Sequence, residues 1–244
     1  MLRSLFHEPA RADQGLLKTA NEAIVHYMDM LRSIPPEERN LQERRYLIWS
    51  GSFLRALDEL EQSQYAAKRC GAKVSKIFLD EMSEEEREEY HRHLYFYKNA
   101  IIRLFSILDK LGHFMNDRFR LKTEEIKARY SYFTVLRNMH ENKLYIELEE
   151  QLFALKNKNR EPVDRLRNER NMEIHTINAD LLDDLLRAAE EKQGYDERHR
   201  IDDIPSRLRD LEEACDMTYE AAGLIFSYIA KLTQSSGRYD TDTD

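Results

Sequence analysis

Between residues 165 and 175 the chain reads RLRNERNMEIH, which places the guanidinium of Arg170, the amide of Asn171 and the imidazole of His175 within a short polar stretch. An imidazole titrates near neutral pH and can take or give a proton. A guanidinium stays charged and can hold the non-bridging oxygens of a phosphate as charge builds on phosphorus. These groups meet the requirements for cleaving RNA without a metal: a proton acceptor for the 2′-hydroxyl, a proton donor for the departing 5′-oxygen, and a fixed positive charge. One histidine serves poorly as base and acid in a single turnover. The chemistry therefore favours a C2 dimer in which two such helices face each other.

On a helix, Asn171 and His175 lie about 40° apart on one face, while Arg170 sits about 140° from His175. The long stem of Arg170 can still curl toward the same rim. Arg167 and Asn178 flank this edge. A second reading stays open on spacing alone, in which the edge is a solvated helix face carrying an i, i+4 Asn–His pair. Arg and His at this separation arise easily by chance, and it is the Asn directly after the Arg that narrows the pattern.

The charge distribution bears on the same choice. The 244-residue chain has a net charge of −8, which excludes a protein whose whole surface grips nucleic acid. Residues 156–170, KNKNREPVDRLRNER, carry six basic and three acidic side chains and reverse that sign locally. They lead straight into the Arg-Asn-x-x-x-His stretch and would draw an RNA strand toward it, or form a wet helix face of mixed charge.

Other constellations are weaker. Arg87 and His93 form a decoy pair in the acidic opening of a helix. Glu88-x-x-His91 has the spacing of a di-iron ligand pair, but a second such motif and two further inward glutamates are missing. Asp109 and His113 share a helix face and can orient each other. A Gly-rich phosphate loop, a nucleophile elbow and an HExxH motif are all absent from the sequence, so neither a metal nor a cofactor is expected. Cys70 and Cys215 have no CxxC context and read as reduced thiols of a cytoplasmic protein. The opening MLRSLFHEPARADQ lacks the apolar core of a signal peptide. The most apolar run, AAGLIFSYIA (221–230), is too short for a bilayer, so no membrane association is expected.

The elements that must position these groups are helical. Only seven Gly and five Pro interrupt a chain that is 34% charged and 41% apolar, a composition that favours long helices with solvated faces. Leu17, Ala20, Ile24, Tyr27 and Leu31 predict a first helix that stops at Pro35-Pro36. A second runs over about 39–69 with Leu47, Leu54, Leu57 and Leu60 inward. Ser83 followed by Glu84, Glu85 and Glu86 predicts a capping box. It opens a long central helix to about 119, with Leu94, Tyr97, Ile101, Leu104, Leu108, Leu111 and Met115 on its stripe. Residues KTEEIKARYSYFTVLRNM and NKLYIELEEQLFALKNK predict two shorter helices or one bent one, and Pro162 suits the first turn of the helix carrying the motif. NADLLDDLLRAAEEKQG predicts a helix capped at Gly194. Leu208, Leu211, Cys215, Tyr219, Ala222, Phe226, Ile229 and Leu232 mark the last one. The expected architecture is all-α: an up-and-down helical bundle over 71–235, an N-terminal helical extension over 1–70 packed on it, and a disordered acidic tail over 236–244.

An all-helical chain with Arg170-Asn171-x-x-x-His175 on a late helix resembles the HEPN superfamily (higher eukaryote and prokaryote nucleotide-binding domains). RLFSILDKLGHFMNDRF, with Asp109, Lys110 and Asn116, is similar to the "DK…N" helix of its Cthe_2314-like bacterial branch. The likeness covers about residues 80–235. It implies a homodimer whose motif helices meet in a composite, metal-independent endoribonuclease site. In such a site Arg170 and His175 are catalytic, Asn171 orients them, and Asp109 supports them; Arg167 is counted as supporting from its place on the same helix edge. It further implies a toxin or defence and stress effector, acting on RNA, with a nucleotidyltransferase antitoxin or another defence-system component as partner. Single-stranded RNA suits a narrow seam better than an A-form duplex. The same superfamily contains inactive members that bind a protein or nucleotide partner, and that alternative stays open.

Overall fold

The computed structural model describes residues 2–175 and 200–235, and their regular structure is helical. In chain order the helices are α1 (Leu2–Leu5), α2 (Gly15–Ser33), α3 (Leu41–Gly71), α4 (Glu84–Phe119), α5 (Thr123–Ile126), α6 (Tyr132–Glu141), α7 (Ile146–Lys158), α8 (Arg160–His175) and α9 (Ile204–Ser235). The only β pairing among the described residues is an isolated bridge between Phe78 and Arg200. The expected all-α bundle is what the chain forms. Asn178, the helix expected to end at Gly194 and the 236–244 tail lie outside the described residues.

The bundle divides into two compact units that interleave in sequence. One is built from Met1–Ala10, Leu60–Arg103 and Arg160–Ala214, the other from Arg11–Glu59, Leu104–Asn159 and Cys215–Asp244. Residues 1–70 contribute to both, and α3, α4 and α9 each supply a segment to both.

In the second unit, α2 buries Leu17, Ala20, Ile24, Tyr27 and Leu31, the stripe its spacing predicts. The centre of this unit is aromatic. Phe114 and Phe226 stack with centroids 5.1 Å apart, and Phe53 meets them edge-on at 5.7 and 5.5 Å. Leu47 and Leu54 on α3, expected inward, are only half-buried, because Tyr46 and Phe53 one position earlier take the inward places. Each sits about 100° around the helix from its aromatic neighbour.

Between α4 and α6 the chain forms only the short α5, where the residue pattern predicts a longer helix from about 122, and two buried asparagines hold the turn that precedes it. Asn116 accepts from the Thr123 backbone N–H at 2.9 Å and donates to Glu124 at 2.7 Å and to the Tyr130 hydroxyl at 3.0 Å. Asn138 donates to the Leu121 carbonyl at 3.1 Å and to Thr123 Oγ1 at 3.0 Å. These bonds satisfy a chain that turns instead of continuing its helical ladder. α6 then starts afresh at Ser131, whose backbone N–H donates to Thr134 Oγ1.

In the first unit the core mixes small and larger side chains: Ala66, Ala67, Cys70, Ala100 and Ala214 are buried alongside Leu60, Leu166, Leu211, His93 and Tyr97. Ser83 caps α4 by accepting from the Glu86 backbone N–H at 3.2 Å. The Glu86 carboxylate leaves the reciprocal half of the capping box open. It reaches the backbone N–H groups of Ser75 at 2.5 Å and Lys76 at 2.9 Å, tying down the approach to the helix.

Candidate active site

α8 begins with Pro162 in its first turn, where a missing N–H costs no helical bond. The preceding helix is ended by Asn159, whose side-chain amide donates back to the Leu155 carbonyl at 2.9 Å. Pro162, Val163 and Leu166 are buried and anchor one face of α8. The neighbouring face carries charges at i, i+4 and i+8, all engaged within the first unit. Arg165 binds Asp210 of α9 through two parallel bonds of 2.7 and 2.8 Å. Glu169 accepts from Arg207 of α9 at 3.2 Å, and Glu173 meets Lys98 of α4 at 3.1 Å. The Asp210 hydrogen bonds raise the pKa of Arg165 further, so that side chain is a permanent cation with its fork already occupied.

These fastenings present the motif. Arg170 is half-buried and donates from its terminal guanidinium nitrogen to Asn171 Oδ1 at 3.0 Å. Arg170 and Asn171, adjacent in the chain, are thus brought into contact through their side chains. His175 closes the described part of α8, and its imidazole lies outside what the structure describes. Arg167 donates to Asp164 at 2.6 Å on the same helix. Asp109 lies on α4 within the second unit.

The remaining sequence candidates resolve into structural roles. Arg87 donates to the Leu79 carbonyl at 3.2 Å and steadies a 3-10 turn at Leu79–Glu81. Glu88 pairs with Arg92 at 2.9 Å on the surface of α4. His113 meets the Tyr130 hydroxyl at 3.0 Å. Lys110, half-buried over the Phe53 ring at 4.8 Å, donates to the Ser52 hydroxyl; burial pushes its pKa down. Asn116 belongs to the turn described above. Both cysteines are buried, and burial, with Glu89 nearby, pushes the Cys70 thiol up to about 11, far from a reactive thiolate.

Spacing missed the polar core beneath α8. His93 is fully buried, taking the inward place assigned to Leu94. A carbonyl can only accept, so the 2.8 Å contact with the Ala67 carbonyl makes Nδ1 the donor and leaves Nε2 as the unprotonated nitrogen. Burial is the main cause of a lowered pKa at His93. Its ring stacks on Tyr97 at 5.8 Å, and the Arg207 guanidinium lies over the other ring at 5.3 Å. Burial also raises the Glu169 pKa, against the pull of Arg207. The available signal was the i, i+4 step from His93 to Tyr97, together with Glu169 standing directly before Arg170.

Among the described residues no three His, Cys, Asp or Glu side chains gather as a metal site, and no helix is long and apolar enough to cross a membrane. No curated protein and no solved structure matches the chain. A family model does match: the HEPN_Cthe2314-like HEPN model, over residues 49–230. That span takes in most of the chain and the whole of α8, and by it the chain belongs to the HEPN_Cthe2314-like HEPN family.

Proposed function

We propose that the protein is a metal-independent endoribonuclease of HEPN type, acting as a homodimer on single-stranded RNA. The observation that carries this reading is the Arg170 guanidinium held by Asn171 at 3.0 Å on the helix that also bears His175, in a member of the HEPN family. In the proposed reaction the imidazole of His175 from one protomer takes the 2′-hydroxyl proton. The resulting alkoxide attacks the adjacent phosphorus, and the bond to the 5′-oxygen breaks. His175 of the second protomer, protonated at the outset, gives its proton to that oxygen, leaving a 2′,3′-cyclic phosphate and a 5′-hydroxyl. Arg170 stabilises the charge that builds on the non-bridging oxygens. Asn171 orients the guanidinium, and Arg167 adds positive potential at the rim. The biological setting that suits such an activity is a cytoplasmic toxin or defence and stress effector, with a nucleotidyltransferase antitoxin or another defence component as partner.

One observation favours the alternative, an inactive HEPN-like module that binds a protein or nucleotide. Much of the positive charge in 156–170 is already matched, Arg165 by Asp210 and Arg167 by Asp164, which weakens the pull on RNA. Cleavage assays in EDTA separate the two readings. Wild-type protein cuts RNA under the ribonuclease reading, and His175→Ala abolishes cutting at unchanged melting temperature. Arg170→Ala loses most turnover while RNA affinity falls only modestly. Binding without cutting, or cutting that survives His175→Ala, assigns the chain to the alternative or to other chemistry.

A further inference from the structure

We propose that Arg207 is a positioning residue for the motif: by holding Glu169 it sets the turn of α8 that carries Arg170 and Asn171. Glu169 is the residue directly before Arg170, so whatever fixes its side chain fixes the rotation of α8 at that point. Arg207 is itself fixed on three sides. One terminal nitrogen donates to Asp202 at 2.5 Å, the other to Glu169 at 3.2 Å, and the guanidinium plane rests over the Tyr97 ring at 5.3 Å. Tyr97 is buried and stacked on His93, which is hydrogen-bonded to the Ala67 carbonyl at 2.8 Å. A continuous set of contacts therefore runs from α3 through α4 and α9 to the turn bearing the motif.

The contact differs from an ordinary surface ion pair. Side-chain exposure is 25% at Arg207 and 28% at Glu169, so both charges have lost much of their water. Exposed pairs hold geometry weakly, whereas breaking a desolvated pair leaves a charge without compensation. A guanidinium that shares its fork between two carboxylates is also directional in a way that an ammonium is not. The flanking contacts, Arg165–Asp210 and Lys98–Glu173, lie one turn to either side. They hold α8 in place, while Arg207 acts at the turn that matters for turnover.

The effect on turnover rests on the ribonuclease reading; the effect on α8 does not, and the experiment keeps them apart. Amide hydrogen exchange over residues 168–173 is compared in full-length wild type, Arg207→Gln, Arg207→Lys and Glu169→Gln, beside kcat and KM on RNA in EDTA. Arg207→Gln and Glu169→Gln both speed exchange in that turn by about tenfold, as expected for local opening that costs one such contact. In both, kcat falls about tenfold with KM nearly unchanged, since the guanidinium is lost as a positioned group, not as a binding charge. Arg207→Lys, which keeps the charge without the fork, falls between. It decides the matter if Arg207→Gln fails to fold. Unchanged exchange over 168–173, or exchange that rises equally throughout the chain, overturns the proposal. Wild-type protein that cuts no RNA removes the ribonuclease reading, and the exchange comparison alone then decides the role of Arg207.

Discussion

The two units solve the problem of holding helices together in different ways. In the one built from Arg11–Glu59, Leu104–Asn159 and Cys215–Asp244, the centre is a set of rings: Phe114 lies within 5.9 Å, centroid to centroid, of Tyr46, Trp49, Phe53 and Phe226. In the unit that contains the motif, the alanines Ala66, Ala67, Ala100 and Ala214 share the core with a single stacked pair, His93 and Tyr97. Charges on α8, the exposed Arg165 and the half-buried Glu169 and Glu173, are matched to partners on α4 and α9. Apolar burial is strong but has little direction. An ion pair with a shared fork adds less net stability but fixes how far a helix is turned. The difference teaches that stability and precision are separable here: rings supply the first, and charges next to Arg170 supply the second.

That contrast is testable at single positions. The largest effect falls in the ring cluster, where Phe114→Ala removes four ring contacts and lowers unfolding free energy by about 3–5 kcal/mol in urea titration. The glycines sharpen the comparison. A Cβ at Gly112 would meet the Tyr132 backbone at 2.7 and 2.8 Å, which cannot yield, so Gly112→Ala destabilises by roughly 1–3 kcal/mol. A Cβ at Gly71 would meet His93 Nδ1 at 2.8 Å and Ile204 at 3.0 Å, and that nitrogen is held by its bond to the Ala67 carbonyl. Gly71→Ala, at the last residue of α3, therefore destabilises too, by displacing the buried His93. An Ala variant at either glycine as stable as wild type in urea titration would contradict this.

Smaller effects come from titration. His93 is buried with its pKa depressed, so the folded state favours the neutral ring. Its contribution is complete above the ordinary histidine pKa of about 6.5 and is lost as pH falls below it. The urea midpoint should drop between pH 7.5 and pH 5, and His93→Gln should flatten that dependence. A slope unchanged by the substitution would place the titrating group elsewhere. At the surface, the hydrogen bond from the Ser75 backbone N–H is the chief cause of the lowered Glu86 pKa. Its contribution is present above the ordinary carboxylate range and is lost on acidification. Glu86→Gln should speed amide exchange at Ser75 and Lys76 at neutral pH and leave the global melting temperature almost unmoved.

Periodicity exposed much of this architecture. The α2 stripe, the Ser83 start of α4 and the inward line of α9 depend on neighbours within a turn or two, which a sequence displays directly. The turn between α4 and α5 was hidden because Asn116 and Asn138 hold it from 7 and 17 positions away, beyond the reach of a helical period. The basic run 156–170 looked freer than it is because the partner of Arg165 is Asp210, 45 positions away. At the candidate site, residue types and spacing pointed to Arg170 and Asn171. The side-chain contact that joins them at 3.0 Å and the Glu169–Arg207 contact below them depend on packing against α4 and α9, which no local pattern encodes.

The chemistry assigned to Arg170 and His175 is tested most directly by the ends it leaves on RNA. With EDTA present, fragments produced by the wild-type protein should carry 2′,3′-cyclic phosphates and 5′-hydroxyls, and the His175→Ala protein should produce none. Fragments bearing 5′-phosphates, or ends identical in the two proteins, would contradict it.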